Sequence, residues 1–109
     1  MNKETEQEIS ELQVIEQNLQ RFLSQKQQFQ TQIVEVETAL KELPESGDTY
    51  KIIGNIMVSV KKADLEEDLK SKKEIAEIRL KSLEKQEQKM REEADNLQKQ
   101  IMNKIKSKK

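Results

Sequence analysis

The sequence predicts a mainly α-helical chain in which two long helices pair antiparallel as a coiled coil and are joined by one β-hairpin. Three observations carry this reading. Apolar residues recur at heptad spacing along much of both halves. The single Pro and both Gly residues, Pro44, Gly47 and Gly54, fall within one short stretch. There the Gln- and Glu-rich text gives way to β-branched residues. Residues 1–43 are therefore expected as the first helix, 44–63 as the hairpin with its linkers, and 64–109 as the second helix.

The first helix is the more regular. From Thr5 to Leu43 one heptad frame fits without a break, with Thr5, Leu12, Leu19, Lys26, Ile33 and Leu40 at a. Glu8, Ile15, Phe22, Phe29, Val36 and Leu43 stand at d. The other faces are mainly Gln and Glu, so one apolar stripe is left that needs a partner. At 1.5 Å per residue this stretch would be about 58 Å long. Phe22 and Phe29 are large for a tight two-helix seam. They either fill it or leave part of their surface to another molecule.

Pro44 cannot continue the helix, because it has no amide hydrogen to donate. Gly47 then permits a turn. Tyr50–Ile53 and Ile56–Val60 are strand-forming runs separated by Gly54-Asn55, a two-residue hairpin signal. That turn sets Ile53 opposite Ile56 and Lys51 opposite Val58. One face would carry Ile53, Ile56, Val58 and Val60; the other would carry Tyr50, Ile52 and Met57. A lone hairpin with two apolar faces and open edges is marginal in water, and two thin helices cannot cover it. An oligomer joined through Tyr50, Ile52, Ile53, Gly54, Ile56, Met57, Val58 and Val60 is the expected state.

Asp64 is expected to cap the second helix, with Glu66, Glu67 and Asp68 in its first turn. The apolar stripe runs through Leu65, Leu69, Ala76, Leu80, Leu83, Met90, Ala94, Leu97, Ile101 and Ile105, with Glu87 the polar residue between Leu80 and Ile101. The first three fit a different phase, which places a stutter between about residues 72 and 80. Ile75 and Ile78 lie off the seam, to pack on a neighbouring subunit or to stand as scattered surface residues. Antiparallel pairing with Leu43 opposite Asp64 brings both termini together. Ile9, Leu12, Leu97, Ile101, Met102 and Ile105 then gather at the far end, either closing the seam or remaining available to another protein.

Composition excludes several function classes. Only 33% of the 109 residues are apolar against 38% charged, too little for a globular core of ordinary size. Periodicity favours long solvated helices over disorder. Residues 1–60 carry 5 Lys and Arg against 10 Asp and Glu, and residues 61–109 carry 15 against 11. The opposite net charges favour pairing of the two arms within one chain. A net charge of -1 argues against a nucleic-acid partner; the basic tail Lys104–Lys109 reads more simply as a complement to the helix C-terminus. No apolar run approaches the roughly 20 residues needed to span a membrane. The N-terminal text lacks the apolar segment of a secretory signal, and the absence of Cys fits a cytoplasmic protein. Without His or Cys the usual nucleophile–base pairs and most transition-metal sites are missing, and no phosphate-binding Gly loop occurs. No catalytic residue, cofactor or metal is expected.

The order helix, single hairpin, helix resembles the β-type subunit of prefoldin. The most specific part is Tyr50-Lys51-Ile52-Ile53-Gly54-Asn55-Ile56-Met57-Val58-Ser59-Val60, followed by an acidic helix start. The resemblance covers essentially the whole chain and is nearest to archaeal single-hairpin subunits. It implies a hexamer of two α-type and four β-type chains, whose hairpins form a β-barrel body from which six coiled-coil arms project. It further implies an ATP-independent chaperone that holds unfolded proteins at the arm tips and passes them to a group II chaperonin. The competing reading is a scaffold that uses the same architecture to join fixed partners.

Overall fold

The computed structural model describes residues 2–45 and 47–107. Ser46 of the linker and the last two residues of the basic tail, Lys108 and Lys109, lie outside the described residues, as does Met1. Two long helices flank a two-stranded antiparallel hairpin. Helix α1 spans Lys3–Glu42, strands β1 and β2 span Thr49–Ile53 and Ile56–Val60, and helix α2 spans Lys62–Ser107. The chain divides into two compact units, residues 1–27 with 81–109, and residues 28–80. No helix among the described residues is long and apolar enough to cross a membrane.

Helix α1 starts two residues earlier than the heptad frame. Asn2 caps it, its side-chain oxygen accepting a hydrogen bond from the Thr5 amide at 2.8 Å. All twelve a and d positions from Thr5 to Leu43 are buried or half-buried, the polar ones included. The helix ends at Glu42, two residues before Pro44, as expected of a chain about to meet a residue with no amide hydrogen.

Helix α2 departs from expectation in three ways. Its first turn is closed by the Leu65 amide donating to the Lys61 carbonyl at 3.0 Å, so Lys61 and not Asp64 holds the cap position. Val60 is still paired with Thr49, and one residue suffices to pass from strand to helix. Asp64 lies inside the first turn, where its charge still suits the helix dipole. There is also no stutter. Leu69, Lys73, Ala76, Leu80, Leu83, Glu87, Met90, Ala94, Leu97, Ile101 and Lys104 alternate at four and three residues, and each is buried or half-buried. Lys73 and Lys104 take seam positions with their alkyl stems, which hydropathy alone does not reveal. Finally, Ile105 falls off the seam and is 41% exposed.

Both units show the helices antiparallel, but in a shifted register. Glu37 meets Lys73, Lys26 meets Glu87, and Glu8 meets Lys104. Pairing Leu43 with Asp64 would instead have put Lys70, Lys81 and Lys99 at those places. The difference of three to six residues has an electrostatic reason at Lys26. The expected register sets it against another lysine, and the observed one against a carboxylate.

The hairpin register matches expectation, with Ile53 opposite Ile56 and Lys51 opposite Val58. Strand β1 begins at Thr49, one residue earlier, and the Thr49 hydroxyl donates to the Val60 carbonyl at 2.6 Å. Gly54 has φ +61°, and no described non-Gly residue has positive φ. A glycine alone in that region at the first central position is the type II′ turn, whose twist suits a hairpin.

Candidate functional site

Two regions carry the sequence-derived site residues. In the unit formed by residues 28–80, the hairpin presents its apolar side chains outward. Tyr50, Ile52 and Met57 are 52%, 70% and 64% exposed, and Ile53 and Ile56 beside the turn are 58% and 67%. Val58 is less exposed at 39% and Val60 half-buried, on the same face as Thr49 and Lys51. That face is fastened to α2 by Lys51, whose Nζ lies 3.2 Å from the Asp68 carboxylate. Lys72, one turn further along α2, contacts the same carboxylate at 3.3 Å. Hydrogen bonds from Lys51 and Lys72 hold the Asp68 carboxyl below the usual aspartate range. The rest of the hairpin surface is left uncovered by the chain's own helices.

Lower in the same unit, Phe29 and Val36 line a shallow groove with Ala76, Ile75, Lys72 and Arg79. Within it Ala76 is buried and Phe29 half-buried. Ile75 and Ile78 stand off the seam at 49% and 61% exposure.

The other unit holds the two helix ends. Of the six residues expected there, Ile101 is buried, Ile9, Leu12 and Leu97 are half-buried, and only Met102 and Ile105 are exposed. Ile101, Leu12 and Leu97 therefore fill seam positions, and Ile9 flanks the seam next to Glu8. Met102 shares a helix surface with Asp95, Gln98, Lys99, Asn103 and Lys106. Composition did not single out what closes this end. Glu8 is buried at 8% exposure and pairs with Lys104, which also contacts Glu4 at 3.0 Å. Hydrogen bonds to Glu8 and Glu4 raise the Lys104 ammonium above the usual lysine range. Glu8 Oε2 is buried with no hydrogen-bond partner among the described residues. The signal was present in the heptad frame, where Glu8 stood at d and continuing α2's spacing past Ile101 lands on Lys104.

A second polar pair lies within the seam of this unit. Lys26 Nζ is 3.2 Å from Glu87, with side chains 19% and 14% exposed, and Arg91 reaches Glu87 at 3.3 Å. Burial pushes the Glu87 carboxyl up, but Lys26 and Arg91 outweigh it and hold it below the ordinary glutamate range. Among the described residues no group of His, Cys, Asp or Glu is arranged to hold a metal ion.

The sequence and the fold match known proteins over nearly the whole chain. The family model described as Prefoldin subunit matches residues 6–108. The chain belongs to the prefoldin family. It is 39% identical over 98 residues to the prefoldin subunit beta of Archaeoglobus fulgidus, covering 87% of this chain and 84% of that one. The corresponding subunit of Sulfurisphaera tokodaii is 33% identical, with 90% and 81% covered. The crystal structure of the prefoldin beta subunit from Thermococcus strain KS-1 superposes with a TM-score of 0.84 at 32% identity, covering 94% of this chain and 92% of that one. The prefoldin fold and its chaperone-type role thus apply to this chain. Prefoldin subunits are chaperones and generally not enzymes, and the beta subunits are parts of hetero-oligomers.

Proposed function

We propose that this chain is a subunit of an ATP-independent holding chaperone, acting in the cytoplasm as one prefoldin-like unit. Its hairpin joins α-type subunits and further copies of itself, two of the former and four of the latter, and the paired helices serve as arms. Unfolded clients are held at the arm ends and passed to a group II chaperonin. The observation that carries the client-holding part is the exposure of Met102 and Ile105 beside a seam that is otherwise closed. A flexible thioether and a branched aliphatic side chain give small, adaptable apolar contacts. Each gains roughly 25 cal/mol per Å² covered, so one arm binds weakly and several arms on one client bind well.

Light scattering of a denatured test protein, mixed with this chain and an α-type partner, tests the reading. Suppression of aggregation is expected, and its loss on changing Met102 and Ile105 together to Ser, with the oligomer intact. Failure to suppress aggregation, with stable capture of one folded partner, would favour the fixed-partner scaffold.

A further inference from the structure

The end of the coiled coil in the unit of residues 1–27 and 81–109 is closed by charge at a place where the rest of the seam is closed mainly by apolar packing. Glu8 occupies a seam position, is 8% exposed, and has as its ionic partner Lys104, which it shares with the exposed Glu4. One Glu8 oxygen, Oε2, is out of water with no partner among the described residues. Such a carboxylate is costly to hold in place and is stabilised there by its cation. Opening the end returns Oε2 to water, whereas closing it keeps the ion pair. The two states are therefore closer in free energy than they would be with leucine at position 8. Along the seam from this pair come Leu12 and Ile101 and, about two turns from Lys104, Leu97; Ile101 is buried and the other two are half-buried.

We infer that Glu8, Glu4 and Lys104 form an electrostatic latch that keeps Leu12, Leu97 and Ile101 in the seam and releases them to an unfolded apolar segment when it opens. This rests on the reading of the arm end as the client-holding site and adds its regulation. Met102 and Ile105 make first contact, and the latched residues supply further apolar surface once the helices part. The raised ammonium of Lys104 agrees with a cation engaged by two carboxylates. An ion pair with a 31% exposed cation weakens as salt rises, so opening is driven by ionic strength as well as by client.

The chain has no Cys, so labels can be placed uniquely. Gln7→Cys and Asn103→Cys, both at exposed positions, carry a spin-label pair in the assembled oligomer. Lys104→Gln strands Glu8 in the seam and should shift the distance distribution to longer values and raise aggregation suppression. Glu8→Leu combined with Lys104→Gln replaces the latch by apolar packing. It should narrow the distribution, remove its salt dependence and lower suppression to what Met102 and Ile105 supply. Unchanged distances in Lys104→Gln overturn the latch, as do longer distances without any change in suppression. If Met102→Ser with Ile105→Ser leaves suppression intact, the client-holding reading fails instead, and the latch as a structural element is decided by the distances alone.

Discussion

The hairpin and the helix ends both expose apolar side chains, but in opposite company. On the hairpin Tyr50, Ile52, Ile53, Ile56 and Met57 are all more than half exposed, and among the described residues a single ion pair ties the strands to α2. At the helix ends two exposed apolar residues, Met102 and Ile105, stand among Lys99, Asn103, Lys104 and Lys106. A contiguous two-faced apolar surface on a strand pair cannot persist in water, and it calls for a permanent partner. A small apolar spot within a charged surface can remain free and bind reversibly. Residue choice within one chain thus separates an assembly surface from a contact surface.

The comparison breaks most completely at the hairpin. Ile53→Asp puts a charge on a surface that is open in the single chain and covered in the proposed oligomer. The chain itself should fold unchanged, with full helix content. Assembly should be lost, since an unpaired charge buried at each junction costs several kcal/mol. Sedimentation of the mixture with an α-type partner reads this directly. An oligomer of unchanged mass would remove the hairpin from the assembly surface.

A smaller effect is expected from the polar pair inside the seam. Lys26→Leu leaves Glu87 with Arg91 alone and should lower stability by about 1–3 kcal/mol, less than for a fully buried pair because both groups keep some access to water. Replacing both by Leu should restore stability or raise it, while loosening the register that the pair selects. Urea unfolding and label distances separate the two effects. The same carboxylate gives an acid limb. Glu87 is depressed in the folded chain, so below the ordinary glutamate range the unfolded chain binds the extra proton. Stability therefore rises with pH there, and the contribution present at neutral pH is lost as pH falls through the depressed value. Glu87→Gln should flatten that limb.

How much of this was legible in the sequence follows the same division. The α1 seam could be read because nine of its twelve positions are apolar, and the hairpin register because Gly54-Asn55 leaves one choice of pairing. The α2 seam is hidden from hydropathy where lysines hold it. Lys73 and Lys104 score as surface residues, yet their stems lie along the seam. The inter-helix register was missed for a related reason. It depends on Lys26 finding Glu87 and Glu8 finding Lys104, and such pairs become visible only when both helices are placed side by side.

Gly54→Ala should have a milder consequence. An added Cβ meets open space, so packing is not at issue. The cost is in the backbone, because φ +61° is unfavourable for an L-residue by about 1–2 kcal/mol. That is enough to fray an isolated two-stranded hairpin and should weaken assembly without abolishing it. Dissociation on dilution at a higher concentration than for the native chain is the expected reading.

The smallest effect is expected at Asp68, and it tests how far the hairpin is fixed before assembly. Asp68 joins Lys51 on the strand to Lys72 on α2, and all three side chains are a third or more exposed. Ion pairs this open contribute little to global stability, so thermal unfolding of Asp68→Asn should hardly differ from that of the native chain. Their local role is different. Among the described residues Lys51–Asp68 is the one ion pair between strand and helix, and Thr49 with Val60 holds the strands to each other and not to the helix. Amide exchange in residues 49–60 should therefore quicken in the variant, while α1 and α2 keep their protection. Raising the salt should bring the native hairpin toward the variant's rate. If exchange is unchanged, the orientation of the hairpin is held by packing around Val58 and Val60 instead. The assembly surface would then be rigid before any partner arrives.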